Sequence, residues 1–385
     1  MKQQKPSKFS VFETELMKTL IEKAKQFQGF THPNPLVAAA IYHKNEVISW
    51  GVHRMKGGVH AEVDAIQGAN DNTDGASLMV TLEPCTHTGS TPPCVSAIIK
   101  AGIKEVIFAI EDPCNLVRQK SAKTVLEEHG IQVRSGLLEK EAYHLNHDYM
   151  YFHQNKRPFI HLKAGMSLDG KIALSSGESC YITNELSRKK VHEMRSKTVG
   201  IVIGSGTLVS DNPKLTVRHG YLENKQVPPT IVVIGNKKID DCHDYAIFES
   251  GYRSILVTSN EHNDHPSFSD VWVIPKTTNK IIDWTLFFQK CYENNMYSLL
   301  IEGGQKTFSH FLEGGIVNKC SFFIAPKLFG QADAKSVVEL TRVDTLKDIF
   351  TLKNITIEQY DDDTCITGFC SLKENDTLIN NNKGE

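Results

Sequence analysis

The stretch from His60 to Cys94 constrains this chain more than any other. It reads H-A-E-V-D-A-I, then the strand-like run S-L-M-V-T-L, then E-P-C-T-H-T-G-S-T-P-P-C. His60, Cys85 and Cys94 supply one imidazole and two thiolates, three ligands for a tetrahedral zinc with a fourth position left for water. Pro84 and Pro93 stand immediately before the two cysteines. Proline is favoured at helix starts, which places Cys94 in the first turn of the helix V-S-A-I-I-K-A. A helix N-terminus lowers a thiol's pKa and so favours the thiolate that zinc needs. His60 opens the helix A-E-V-D-A-I-Q-G-A. On an ideal helix His60 and Glu62 would point about 200° apart, at ~100° per residue. They converge on one metal only at a helix start, where the geometry is not yet regular.

Glu62 is left uncommitted as a ligand and is the candidate proton carrier. A zinc-bound water has a pKa near ~7, so hydroxide is available at neutral pH. A carboxylate beside it takes the water proton and returns it to a leaving amine. The pattern resembles the zinc nucleobase deaminases and their H-x-E…P-C-x-x-C signature. Here the second cysteine comes later, as P-C-x8-C. The competing reading is a closed structural zinc with His87 as fourth ligand. His87 also suits a loop histidine or a substrate contact.

At 385 residues the chain is expected to form two or three domains. An apolar content of 40% suits full cores, and a formal net charge of -2 with interspersed signs argues against nucleic-acid or membrane binding. Nine scattered cysteines, an odd number, do not read as a disulfide framework, and a reducing cytoplasm fits better. No signal peptide and no membrane-length apolar run are evident.

Residues 11–28 read as a helix with one buried face. The loop T-H-P-N-P follows, stiffened by Pro33 and Pro35. It presents Asn34 either as a pyrimidine-edge contact or as an ordinary turn residue. L-V-A-A-A-I-Y-H and E-V-I-S-W-G-V-H read as a hairpin joined by K-N, with His53 at its end. E-V-I-F-A-I is a strand, A-K-T-V-L-E-E-H a helix ended by Gly130, I-Q-V-R a strand, and residues 137–152 a closing helix. Strands alternate with helices as in a three-layer α/β sandwich.

N-K-R-P at 155–158 reads as a boundary. Beyond it, T-N-E-L-S-R-K-K-V-H-E-M-R-S is a helix capped at Thr183 or Asn184. Apolar strands follow, with Gly-rich turns after two of them: Gly204-Ser205-Gly206-Thr207 and Glu302-Gly303-Gly304. Glycine lets a phosphate approach backbone N–H groups, although a tight turn without ligand is the default for either alone. Neither turn carries the full Rossmann fingerprint. The expected domains are 1–152 and 153–372, with a polar, disordered tail at 373–385.

Both halves resemble one family, the bifunctional riboflavin-biosynthesis deaminase–reductases of bacteria. The first half matches through P-N-P at 33–35, H-A-E at 60–62 and E-P-C-T-H-T-G-S-T-P-P-C at 83–94. The second matches through R-P-F-I at 157–160, M-S-L-D-G-K-I-A at 166–173 and V-H-E-M-R at 191–195. G-S-G-T-L-V-S-D-N-P-K-L-T-V-R at 204–218, E-G-G at 302–304 and A-P-K-L-F-G at 325–330 complete the match. The resemblance implies a cytidine-deaminase-like sandwich followed by a dihydrofolate-reductase-like α/β domain. It implies zinc-dependent deamination of a phosphoribosylamino-pyrimidine, then reduction of its ribosyl group by NADPH, in a homo-oligomer that binds no nucleic acid.

The same resemblance implies roles residue by residue. His60, Cys85 and Cys94 hold zinc, and Glu62 shuttles the proton. Asn34, His53, Ser179, Arg195, Asp211, Arg218 and Glu302 meet substrate, Arg195 and Arg218 as forks for the phosphate. Ser167, Asp169, Tyr181, Thr183, Gly204, Thr207, Lys237, Gly303 and Gly304 meet the cofactor. Ser90 replaces a common basic residue, Tyr181 a usual Trp, and I-G-N-K-K-I at 234–239 the usual Asp-Ser-Arg pattern, leaving Lys237 to face a 2′-phosphate. The rival readings are a nucleic-acid base deaminase, which would need a basic groove, and a structural-zinc binding module with a degenerate second domain.

Overall fold

In the computed structural model the described residues are 9–86, 92–114, 121–178, 181–222, 227–239, 244–260, 266–277, 282–341, 343, 345–346 and 348–370. Contacts divide the chain into two compact units, one of Met1–Lys156 with Lys225–Val227 and one of Arg157–Asn224 with Pro228–Glu385.

The first unit opens with the helix Val11–Lys25 (α1). Its start is fixed by a capping box in which Ser10 and Glu13 satisfy each other's backbone N–H groups. The strands Ala38–His43 (β1) and Glu46–Val52 (β2) form the expected hairpin. Lys44 and Asn45 both have positive φ, as a tight two-residue turn requires. Then come Ala61–Gly68 (α2), Ser77–Leu82 (β3), Cys94–Lys100 (α3), Glu105–Ile110 (β4), Ala122–Glu128 (α4) and Gln132–Ser135 (β5). The sheet order is β2-β1-β3-β4-β5, antiparallel on either side of β1 and parallel from β3 to β5.

Strand β1 is apolar on both faces, so both must be covered. Ala39 and Ile41 pack with Ala61, Ala65, Val95 and Ile98 from α2 and α3. Ala38, Ala40 and Tyr42 pack with Leu16, Met17 and Leu20 of α1. The result is the expected three-layer sandwich.

One expectation changes. The closing helix is two helices, Glu139–Leu145 (α5) and His147–Asn155 (α6), separated at Asn146. The Asn146 amide accepts from the backbone N–H of Leu36 (2.7 Å) and donates to its carbonyl (2.9 Å). A tertiary contact 110 residues away interrupts the helix there, and the local sequence does not announce it.

The second unit contains Phe159–Ser167 (β6), Lys171–Ala173 (β7), Glu185–Ser196 (α7), Gly200–Gly204 (β8), Ser205–Asp211 (α8) and Thr230–Ile234 (β9). It continues with Ser254–Thr258 (β10), Asp270–Val273 (β11), Trp284–Glu293 (α9), Ser298–Gly303 (β12) and Gln305–Glu313 (α10). Lys319–Ala325 (β13), Lys335–Ser336 (β14), Leu352–Tyr360 (β15) and Asp363–Cys370 (β16) close it. Nine strands form one sheet in the order β11-β10-β9-β8-β12-β6-β13-β16-β15, parallel up to β13 and antiparallel at the β16–β15 end. Cores fill both faces. The motif Gly204-Ser205-Gly206-Thr207 is not only a turn: it begins α8, with Gly204 as its N-cap. Helix α9 was not expected, although Asp283 caps it by accepting from Thr285 and Leu286 and Phe287 and Cys291 face inward four residues apart. Among the described residues no helix is long and apolar enough to cross a membrane.

Candidate active sites

The first site depends on how closely α2 lies on β2. A side chain at Gly51 would stand 2.0 Å from the Ala61 carbonyl and 2.3 Å from the Ala65 nitrogen, so only glycine permits the approach. Asp64 accepts from the Val52 N–H (2.9 Å) and from Arg54 (2.8 Å), and the Ser49 hydroxyl donates to the Ala65 carbonyl (2.6 Å). Those bonds fix the helix start that carries His60 and Glu62. His60 is the N-cap residue, in extended backbone (φ -70°, ψ 152°), and Glu62 lies in the first turn. The irregular helix start lets the two converge, as their spacing demanded.

Cys94 begins α3, and its backbone N–H donates to Cys85 Sγ at 3.3 Å. His60 Nδ1 lies 3.2 Å from Cys94 Sγ and 3.6 Å from Cys85 Sγ. One ligand atom from each of the three residues lies within 4.8 Å of the others. Hydrogen bonds from Cys94 and His60 outweigh burial and bring the Cys85 thiol down to about 4. Its thiolate in turn pushes the Cys94 thiol up. Two thiols this close ionise together only when a cation shares them, so the donor set fits a divalent zinc ion.

Glu62 is 4% exposed. Burial first, and then the neighbouring Cys85 charge, push its carboxyl up to about 7. The His53 ring lies 5.5 Å from that of His60, and His53 and Asn34 form a pair. His53 Nδ1 lies 3.0 Å from the Val59 carbonyl, which fixes the proton on Nδ1 and leaves Nε2 to accept from the Asn34 amide at 3.0 Å. Burial lowers the His53 pKa, so the ring stays neutral. The Asn34 backbone is pinned to Thr31 by two further bonds (2.8 and 3.0 Å). The amide oxygen of Asn34 is thereby aimed by a fixed partner.

Sequence reasoning gave Glu83 no role. It is buried, and its carboxylate accepts from the N–H groups of Asp112 (3.3 Å) and Ala122 (2.8 Å), tying the end of β3 to the segments around α4. His87 and Ser90 lie outside the described residues.

In the second unit, β8 and β12 are parallel neighbours, so their C-terminal ends lie side by side. The two glycine turns therefore join: the Gly304 N–H donates to Thr207 Oγ1 at 2.8 Å. A side chain at Gly206 would meet nothing within 4 Å, and one at Gly304 only Thr207 Oγ1 at 3.2 Å. Open space over paired backbone turns is a cradle that suits a dinucleotide phosphate. Lys237 is exposed, and its N–H donates to Ser205 Oγ (3.2 Å) at the same helix start.

Glu302, at the end of β12, accepts from Arg195 Nε (2.5 Å) and Nη2 (2.9 Å) and pairs with Lys163 Nζ (3.0 Å). Arg195 Nη1 donates to the Thr216 carbonyl (2.9 Å). Arg195, expected as a phosphate fork, thus has its guanidinium bonded to a carboxylate and to a backbone carbonyl. Lys163 was missed, although a lone cation in the apolar run F-I-H-L-K-A was its signal. Arg218 is exposed, with its N–H donating to His192 Nδ1 (3.2 Å). Asp211 is exposed at the end of α8 and accepts from Ser210 (2.6 Å).

Ser167 and Asp169 are tied into the fold. Ser167 donates to Asp169 (2.6 Å), and Asp169 accepts from the N–H groups of Phe329 (3.1 Å) and Gly330 (2.9 Å). Those bonds hold its carboxyl down at about 2. Thr183 packs against Gly165, and the Tyr181 ring is exposed. Ser179 lies outside the described residues, as does the tail.

Comparison with known proteins decides what these sites belong to. The family model for the RibD C-terminal domain matches residues 158–366, and the cytidine and deoxycytidylate deaminase zinc-binding region matches residues 11–110. The riboflavin biosynthesis protein RibD of Bacillus amyloliquefaciens is 35% identical over 356 residues, covering 91% of this chain and 94% of the relative. The chain belongs to the RibD family. The RibD protein of Actinobacillus pleuropneumoniae is 38% identical, covering 84% of this chain and 86% of its own. Two solved structures agree along nearly the whole chain. A deaminase/reductase from Thermotoga maritima has a TM-score of 0.80 at 33% identity, covering 93% of this chain and 99% of its own. Acinetobacter baumannii RibD has a TM-score of 0.84 at 28% identity, covering 94% and 99%. As a RibD protein, this chain is a bifunctional deaminase and reductase of riboflavin biosynthesis, with zinc and NADPH as its cofactors.

Proposed function

We propose that the first unit deaminates 2,5-diamino-6-ribosylamino-4(3H)-pyrimidinone 5′-phosphate. The second then reduces the ribosyl side chain to give 5-amino-6-(5-phosphoribitylamino)uracil. The Thermotoga maritima structure carries the corresponding pair of activities in its name. The single observation that carries the reading is the three-residue donor cluster with a buried carboxyl beside it that is not one of the donors.

His60, Cys85 and Cys94 hold zinc. When bound there, zinc supplies the Lewis acidity that makes water a nucleophile at neutral pH. Glu62 takes the proton from that water on its carboxylate and delivers it to the departing amino nitrogen. Buried and not one of the three donors, it is placed to carry a proton rather than to hold the metal. Asn34, oriented by neutral His53, accepts from the pyrimidine edge.

In the second unit NADPH supplies a hydride. The turns at Gly204–Thr207 and Gly303–Gly304 receive its phosphates, Lys237 faces the 2′-phosphate, and Tyr181 and Thr183 lie along it. Glu302, held by Arg195 and Lys163, faces the ribosyl chain, and Arg195 and the exposed Arg218 supply guanidinium groups near the substrate phosphate. Ser179 and Asp211 complete the substrate contacts. Ser167 and Asp169 shape the cofactor side through the loop they fasten. We also propose a homo-oligomer in the cytoplasm; the near-neutral, interspersed charge supports the absence of a nucleic-acid partner.

One assay tests both halves. Purified protein is given the diamino substrate and NADPH, and ammonia and 340 nm absorbance are followed together. Glu62→Gln should stop ammonia release yet still oxidise NADPH when the deaminated intermediate is supplied. Loss of that second reaction in a folded, zinc-loaded variant would refute two independent sites.

A further inference from the structure

Three exposed apolar side chains in the second unit lie on three short segments that are fastened to one another. They are Leu168 (63% exposed), Tyr181 (69%) and Leu328 (72%). The Leu168 N–H donates to the Lys327 carbonyl (2.8 Å), Asp169 receives the N–H groups of Phe329 and Gly330, and Lys327 Nζ donates to the Ile182 carbonyl (2.6 Å). Exposed apolar groups on a tethered frame mark a surface prepared for a ligand.

Arg188 completes this frame from α7. Its guanidinium carbon lies 4.6 Å from the centre of the Tyr181 ring, and its Nη1 donates to the Thr183 carbonyl at 2.6 Å. One side chain thus covers a face of the ring and fixes the backbone two residues further on. A phenol ring this exposed has free rotamers, and ordering it would oppose binding. The cation holds it by the ring's electrostatic field.

We propose that Arg188 is a positioning residue of the reductase: it holds the Tyr181 ring so that the uncovered face receives a planar ring of NADPH. The inference rests on the reading that Tyr181 borders the cofactor. Arg188 acts through Tyr181 and through the 181–183 backbone, and does not itself touch the cofactor.

The test is a double-mutant cycle on the full-length protein, reading the NADPH dissociation constant by fluorescence titration without substrate. Tyr181→Ala should weaken NADPH. Arg188→Met, which keeps the stem and removes the cation, should weaken it about 2- to 30-fold, the range that a cation–π contact spans. The double variant should lose less than the product of the two single losses, because the ring is gone and only the arginine's bond to the Thr183 carbonyl remains. At saturating NADPH the Arg188→Met variant should keep kcat while KM for NADPH rises, and its ammonia release should be unchanged. Arg188→Lys, with a cation but no fork, should fall between Met and wild type. It replaces Met in the cycle if near-UV circular dichroism shows that Met disturbs the fold. Wild-type affinity in Arg188→Met beside a weakened Tyr181→Ala overturns the role of Arg188 alone. Losses that multiply in the double variant overturn action through Tyr181. Wild-type affinity in Tyr181→Ala overturns the cofactor reading itself.

Discussion

Glu302→Gln should destabilise the second unit strongly, while Lys163→Met should barely affect it. The Glu302 side chain is 6% exposed and lies between Arg195 at 13% and Lys163 at 12%. Its carboxylate accepts three charge-assisted hydrogen bonds, two from Arg195 and one from Lys163. An amide cannot reproduce this. Its oxygen can serve one cation, and its NH2 must then face the other. Two like charges remain buried, and among the described residues Lys163 Nζ has no other hydrogen-bond partner. Leaving a buried charge uncompensated costs about 3–5 kcal/mol. At about 2–4 °C per kcal/mol for a unit of this size, the melting temperature should fall by roughly 6–20 °C. Lys163→Met instead leaves the bidentate Arg195–Glu302 pair intact and puts an apolar chain in place of a buried ion, for a change of about 1 kcal/mol or less.

Calorimetry of the full chain at neutral pH reads the difference, and pH supplies a second check. Burial alone would raise the Glu302 pKa, but Arg195 and Lys163 outweigh it and hold the carboxyl well below the usual range. A depressed carboxyl stabilises the fold above its unfolded value, near 4.5, and loses that contribution as pH falls below it. The gap between wild type and Glu302→Gln should therefore narrow below about pH 4.5. Equal losses in the Gln and Met variants, or a gap that stays constant into acid, would refute the reasoning.

Gly206→Val should fold normally, because a side chain there meets nothing within 4 Å, yet raise the NADPH dissociation constant roughly tenfold or more by filling the cradle. Gly303 is the poorer probe, since its φ of 114° and the Phe308 ring at 3.0 Å would strain any side chain before cofactor binds. A strong chelator should abolish ammonia release and lower the first unit's melting temperature, while reduction of supplied intermediate continues; unchanged deamination in metal-free protein would contradict the zinc assignment. Arg134→Met should destabilise the first unit by about 1–3 kcal/mol in thermal melts, because Glu13 and Glu105 both pair with that half-buried guanidinium.

The deaminase site was legible because its chemistry is local. A histidine at a helix start, a cysteine after a strand and a cysteine at the next helix start each announce their own backbone, and the strand pattern brings them together. The reductase site was legible as motifs but not as contacts. Nothing around Arg195 in the sequence says that Glu302, 107 residues later, occupies its fork. The adjacency of β8 and β12, which joins the two glycine turns, is a property of strand order that periodicity does not encode. Asn146 shows the same limit: the helix it interrupts looks continuous until the partner at Leu36 is known. Arg188 and Lys327 escaped notice because each supports a carbonyl or a ring in another segment, and surface cations of that kind are common in any helix or loop.

Glu62 and Glu302, both buried, show why a stability measurement can separate a proton carrier from a framework charge. Glu302 is buried with two cations, and its ionised form is what holds them. Glu62 is equally buried but forms no ion pair with Lys or Arg among the described residues, and burial is the largest influence on its carboxyl. A carboxyl that must gain and release a proton is poorly served by a Lys or Arg bonded directly to it, since that partner would hold it ionised. Such a group is retained for function at the expense of stability. Glu62→Gln should therefore leave the first unit's melting temperature unchanged or higher while deamination falls by ~10²–10⁴, the usual range for a positioned acid–base group. Zinc content, measured by metal analysis on the same sample, should stay at the wild-type level. A destabilisation comparable to that of Glu302→Gln would show that Glu62 holds the site together, and the proton-carrier role would then need another residue.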